Sequence, residues 1–115
     1  MSIERINAGP RMSQAVVHGN TVYLAGQVAD DPNADTAGQT RQVLTKIDNL
    51  LAEAGTHKSK VLSATVWLSD IANFYQMNSV WEGWIEPGSP PARATVEARL
   101  ARPYLKVEIM VIAAR

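Results

Sequence analysis

The chain has 115 residues, 46% of them hydrophobic and 19% charged, which is the size and balance of one folded domain rather than of a disordered or multi-domain chain. Eleven basic and eleven acidic side chains cancel to a net charge of zero, so nucleic acid is a poor expectation, and the absence of cysteine excludes disulfides, thiolate nucleophiles and cysteine-held metals. The opening MSIERINAGP has no apolar signal core and no segment approaches the roughly 20 apolar residues of a membrane helix, so a soluble cytoplasmic protein without membrane contact is expected.

SIERI and QAVVHG read as short strands and TVYLAG as a third, with Gly19 and Asn20 supplying the tight turn of a hairpin between the second and third. QVADDPNAD, polar and proline-bearing, reads as loop. From Thr36 to Ala54 the apolar residues Val43, Leu44, Ile47, Leu50, Leu51 and Ala54 recur on one helical face, with Asp35 as N-cap and Gly55 just past the C-terminus. KVLSATVWLSD alternates as a fourth strand, and Asp70 can cap a second helix whose apolar stripe is Phe74, Met77, Trp81, Trp84 and Ile85. EPGSPP ends that helix, and PPARATVEARL and LKVEIMVIAA follow as two more strands. Three strands, helix, strand, helix and two strands predict an α/β (α+β) fold, a mixed six-stranded sheet with both helices on one face.

The helix-covered face is expected to collect Val22 and Leu24, the set Leu62 to Leu68, the set Ala94 to Leu100, and Val107, Ile109 and Val111. The other face then carries Tyr23, Trp67, Met110 and Ile112 beside Arg93, Thr95, Glu97 and Glu108. That mixture is too apolar for water and too charged for a core, which predicts an obligate homo-oligomer covering it. If the last two strands pair as neighbours, avoiding like charges selects the register in which Thr95 faces Glu108, Glu97 faces Lys106 and Arg99 faces Tyr104. Arg93 then lies diagonal to Glu108, and the three form either a site or a structural ion pair.

The Arg93 guanidinium offers a planar fork suited to a small carboxylic acid. Glu108, flanked by Val107, Ile109 and Met110, is expected to have a raised pKa unless Arg93 lowers it again, and so to be able to carry protons. Asn78 lies on the apolar stripe of the second helix, where an amide needs partners. No Gly-rich phosphate loop, H-E-x-x-H motif or G-x-S-x-G elbow occurs, and His18 and His57 sit in polar, turn-like segments where exposure is the better expectation than metal binding.

PPARATVEARL followed by LKVEIMVIAA resembles the C-terminal signature of the reactive-intermediate deaminase family, known as Rid or YjgF. GPRMSQAV, YLAGQV, NLLAEAG and FYQMNSVWEGW resemble the same family in the same order, so the likeness covers nearly the whole chain. The resemblance implies a chorismate-mutase-like fold assembled as a homotrimer with clefts between subunits. It implies a cofactor-free, metal-free hydrolase of the 2-iminobutanoate/2-iminopropanoate deaminase type, which converts reactive 2-imino and enamine acids to 2-keto acids and ammonia in metabolite damage control. Matching the motifs residue by residue, Arg93 holds the substrate carboxylate and Glu108 positions the attacking water, while Asn78, Thr95, Gly26 and Ala25 line the cleft. The chain resembles a divergent branch: Arg11 and Met12 stand where the family carries a tyrosine, Ala25 where it carries a serine, and Thr95 where many members carry cysteine. The alternative implied by those losses is a non-catalytic module that binds small carboxylates such as 2-keto acids.

Overall fold

Asp35 starts the longest helix as the sequence predicts: its carboxylate accepts the Gly38 N–H at 2.8 Å, and α1 runs from Thr36 to Glu53. Val43, Leu44, Ile47, Leu50 and Leu51 are buried along one face, and Gly55 leaves the helix with φ of +79°, a conformation that favours glycine. In this computed structural model, which describes residues 1–115, β1 (Ile3–Ile6), β2 (Ala15–His18) and β3 (Thr21–Leu24) form an antiparallel meander, with Gly19 at φ of +61° in the turn between β2 and β3. A two-residue strand β4 (Gln27–Val28) follows, then α1, β5 (Val61–Leu68), α2 (Phe74–Trp84), β6 (Ala92–Glu97) and β7 (Val107–Ala114). No helix is long and apolar enough to cross a membrane.

The strands form one mixed sheet in the order β1-β2-β3-β7-β5-β6, with β4 also paired to β7. It therefore has seven strands rather than the expected six, because Gln27 and Val28, assigned to a loop from the sequence, pair with Ile109 and Glu108. Both helices pack on one face as predicted, and Met77, Trp81 and Trp84 of α2 share a core with α1, Val22, Leu24, Ala64, Val66, Leu68, Val107, Ile109 and Val111.

The charge-selected pairing of the last two strands does not occur. β5 lies between them, antiparallel to β7 and parallel to β6. A parallel neighbour needs a long crossover, and α2 supplies it. The consequence reverses the faces of β6. Arg93 and Thr95 are in register with the core residues Ala64 and Val66 and so lie on the helix side, whereas Ala94 and Val96 are in register with Thr65 and Trp67 on the open side. Leu62 is also displaced: a register irregularity between Val61 and Ser63 buries Val61 and leaves Leu62 54% exposed.

Glu97 does not meet Lys106. Its carboxylate accepts the Ile71 N–H at 3.0 Å, and the Lys106 ammonium donates to the Ala34 carbonyl at 3.1 Å. Nor do Arg99 and Tyr104 face each other across a ladder, since both lie in the connection between β6 and β7. Fully buried Gln39 of α1 holds that connection, donating to the Tyr104 carbonyl at 2.9 Å and accepting the Lys106 N–H at 2.8 Å.

Candidate functional site

β6 is the last strand of the sheet, so its outer edge is unpaired, and Arg93 stands on that edge against α2. Arg93 Nη1 donates to Asn78 Oδ1 at 2.8 Å. The guanidinium carbon lies 5.2 Å from the Trp81 ring centre and 5.7 Å from that of Phe74, distances at which a cation is attracted to a ring face. Arg93 has no acidic partner: the ion pairs of the chain are Lys46 with Asp30 and Arg115 with Glu4. The guanidinium is thus held by an amide and two rings while its charge stays uncompensated. An open recess of about 330 Å³ runs beside it, lined by Ser63, Ala64, Thr65, Ala92, Arg93 and Ala94.

Thr95 lies two residues farther along the same face of β6, and its hydroxyl oxygen is the one buried side-chain polar atom without a hydrogen-bond partner. A buried hydroxyl lacking a partner costs free energy unless another molecule or a conformational change satisfies it.

Glu108 belongs to a different surface. It projects from the open face of β7, in register with Val28 on one side and Trp67 on the other. Its carboxylate receives no hydrogen bond within the chain, and burial among these side chains raises its pKa above the ordinary carboxylate range. Gly26 passes directly over it: a Cβ at that position would collide with Glu108 Oε2, so only glycine gives the carboxylate this place without displacement. The backbone around Gly26 is tied down. The Ala25 N–H donates to the Gln14 carbonyl at 2.9 Å, and the Gln27 amide donates to the Ala25 carbonyl and to Gln14 Oε1, each at 3.0 Å.

The structure therefore brings Arg93, Asn78 and Thr95 together at the β6 edge, and Glu108, Gly26 and Ala25 together on the open face. It does not bring the two groups together within one chain. The expected Arg93–Thr95–Glu108 cluster is absent because it depended on a β6–β7 ladder and on the opposite facing of β6. The gathering of Phe74, Asn78 and Trp81 around Arg93 has a signal in the sequence, since the three follow the spacing of one helical face. Trp84 takes a different role: its indole N–H donates to Asp48 Oδ1 at 3.0 Å, linking α2 to α1. Glu82, which carries no sequence motif of its own, lies four residues after Asn78 and accepts a hydrogen bond from it at 2.9 Å, a contact that the i, i+4 spacing makes available. His57 caps a short turn by accepting the Ser59 N–H, His18 is exposed, and no three His, Asp or Glu side chains converge. Met12, in the segment where the family carries a tyrosine, is 50% exposed between β1 and β2.

A family model described as Endoribonuclease L-PSP matches residues 2–115. A RutC family protein from Haemophilus influenzae is 46% identical over 114 residues, covering 98% of this chain and 98% of that protein. Among solved structures, a member of the YjgF protein family from Neisseria meningitidis superposes with a TM-score of 0.98 at 43% identity, covering 100% of this chain and 96% of that one. A protein of the Rid family from Yersinia pestis superposes with a TM-score of 0.88 at 35% identity, covering 94% and 90%.

Proposed function

Because the chain belongs to the Rid/YjgF family, whose members are also named RutC and Endoribonuclease L-PSP, we propose that it hydrolyses small 2-imino acids, with their enamine tautomers, to 2-keto acids and ammonia. The observation that carries this reading is Arg93: a guanidinium without an acidic partner, confined by Asn78, Trp81 and Phe74, beside an open recess. Such a fork accepts a carboxylate through two parallel hydrogen bonds. With the carboxylate held there, the adjacent imine carbon is oriented for attack.

Water adds to that carbon and Glu108 takes its proton. That proton passes to nitrogen to give the neutral carbinolamine, which collapses as its hydroxyl proton is carried by Glu108 to nitrogen in turn: the C=O bond forms, the C–N bond breaks, and ammonia leaves behind a 2-keto acid. A carboxylate whose pKa is raised by burial is a better base than an ordinary one, and general acid–base help of this kind is worth about 10²–10⁴-fold. Imines of this class already react with water, so orientation and one proton carrier suffice, with no cofactor.

Arg93 and Glu108 of one chain lie on opposite faces of its sheet, so a site that uses both takes Arg93 from one copy and Glu108 from another. A homotrimer whose open sheet faces are covered by neighbours, with clefts between subunits, supplies that arrangement. The cleft would also take in Asn78, Thr95, Gly26 and Ala25.

The test generates an imine in situ with an amino-acid oxidase and follows its decay. Wild type should accelerate decay and Arg93→Ala should not. Decay equal to that in buffer for both proteins would exclude catalysis. The loss of hydroxyls at Met12 and Ala25 favours a second reading, a non-catalytic module for small carboxylates. Arg93-dependent binding of a 2-keto acid without any acceleration of imine decay would select it.

A further inference from the structure

Asn78 is held at both ends. Its Nδ2 donates to Glu82 Oε1 at 2.9 Å, one helical turn on, and its Oδ1 accepts from Arg93 Nη1 at 2.8 Å. An arginine can only donate and an ionised carboxylate can only accept, so a single orientation of the intervening amide satisfies all three groups. Reversing the amide would set its NH₂ against the guanidinium and its oxygen against the carboxylate, two repulsive contacts in place of two hydrogen bonds.

Resting on the reading of Arg93 as the carboxylate-binding group, we infer that Glu82 is a positioning residue for the site: it fixes the Asn78 amide, and through it the direction in which Arg93 presents its fork. The rings of Trp81 and Phe74 attract the guanidinium at 5.2 and 5.7 Å from its carbon, an interaction that fixes no hydrogen-bonding direction. Asn78 is the one side chain that hydrogen-bonds to the guanidinium and so the one that gives it a direction. If the amide is free to turn over, Arg93 loses that partner and the fork loses its aim.

The intervening amide also explains why an acidic residue can serve here without spoiling the site. A carboxylate in direct contact with Arg93 would occupy its donors and cancel its charge, competing with the substrate. Glu82 makes no ion pair with Arg93 and acts through a neutral group. Glu82 is exposed on α2, so replacing it leaves the core intact. It does not line the recess, and its hydrogen bond is to Asn78, so its influence runs through that amide.

The test is calorimetric titration with pyruvate, a 2-keto acid, on wild type, Arg93→Ala, Glu82→Ala, Glu82→Gln and Glu82→Lys, with thermal melting of each. Losing one orienting hydrogen bond predicts a dissociation constant weaker by about 3–10-fold in Glu82→Ala. Glu82→Gln keeps an acceptor oxygen and should stay within about twofold of wild type. Glu82→Lys offers a donor that turns the amide over and should weaken binding most, with no fall in melting temperature that would account for it. In the imine assay, Glu82→Ala should raise KM and also lower kcat, because a misaimed fork both holds the carboxylate less well and orients the imine carbon less well, and Glu82→Gln should restore both. If Arg93→Ala abolishes binding while Glu82→Ala and Glu82→Lys bind as wild type, the role of Glu82 is overturned and the carboxylate reading stands. Equal losses in Glu82→Gln and Glu82→Ala also overturn it, because charge rather than an acceptor oxygen would then be responsible. If Arg93→Ala itself binds normally, the carboxylate reading fails.

Discussion

Glu108 carries a thermodynamic signature that does not depend on any substrate. Burial between Val28 and Trp67 raises its pKa, so over the window from the ordinary glutamate value, about 4.3, up to the folded value, the folded chain keeps a proton that the unfolded chain has released. Stability contributed by the neutral carboxyl is fully present below that window and is lost as pH rises through the folded pKa. Glu108→Gln removes the titration and keeps the shape. Its melting temperature should therefore match wild type in acid and exceed it at neutral pH, with the gap opening across the window. Thermal melts of the two proteins from pH 4 to 8 check this, and a gap that does not change with pH contradicts it. The facing of this residue was legible in the sequence, because strict alternation sends Glu108 to the side opposite Val107 and Ile109, but the neighbours that bury it were not, since Val28 and Trp67 reach it only through the pairings of β4 and β5 with β7. The close pass of Gly26 was not legible, since it depends on the pairing of β4 with β7.

At the scale of elements, the local signals of α1 were reliable, Asp70 caps the short 3-10 turn Ile71–Asn73 through the Ala72 N–H rather than α2 itself, and pairings were not legible. Asp35, the apolar face of α1 and Gly55 all act within one helix, where the chemistry is set by residues a few positions apart, and each takes the predicted place. Asp35→Ala should cost about 1 kcal/mol by leaving the Gly38 N–H without its partner, whereas Asp35→Asn should cost little. Urea titration reads this as a lower midpoint at unchanged slope. The pairing of β6 is a different matter. Alternation in PARATVEARL announces two faces without saying which is buried, and a charge rule can choose a register only between strands already known to be neighbours. The assumption that consecutive strands pair placed β6 against β7, but α2 returns the chain beside β5 and parallel to it. With β5 inserted, Arg93 moves to the helix side, which is why its partners are Asn78, Trp81 and Phe74 rather than Glu108.

At the scale of the whole molecule, the open sheet face has an organisation suited to a second copy of the chain. Across the strands, Val16, Tyr23, Ile112 and Ser63 stand in one row, Met110 and Thr65 in the next, and Val28, Glu108, Trp67 and Val96 in a third. Tyr23 is 45% exposed and Val96 49%, so apolar surface remains uncovered around a carboxylate with a raised pKa. If neighbours cover these faces in a closed ring of three, the mass in solution should be three times the 12.5 kDa of the chain. The opposite facing of Arg93 and Glu108 then makes complementation the decisive measurement. Arg93→Ala and Glu108→Gln should each be inactive alone. When the two are unfolded together in equal amounts and refolded, a cleft formed by Arg93 of one copy and Glu108 of its neighbour is intact in about one case in four, so about a quarter of wild-type activity should return. A site contained within one chain predicts no recovery, because every chain in the mixture lacks one of the two groups. Recovery that disappears when the variants are refolded separately and only then mixed would place the missing group on the adjoining subunit.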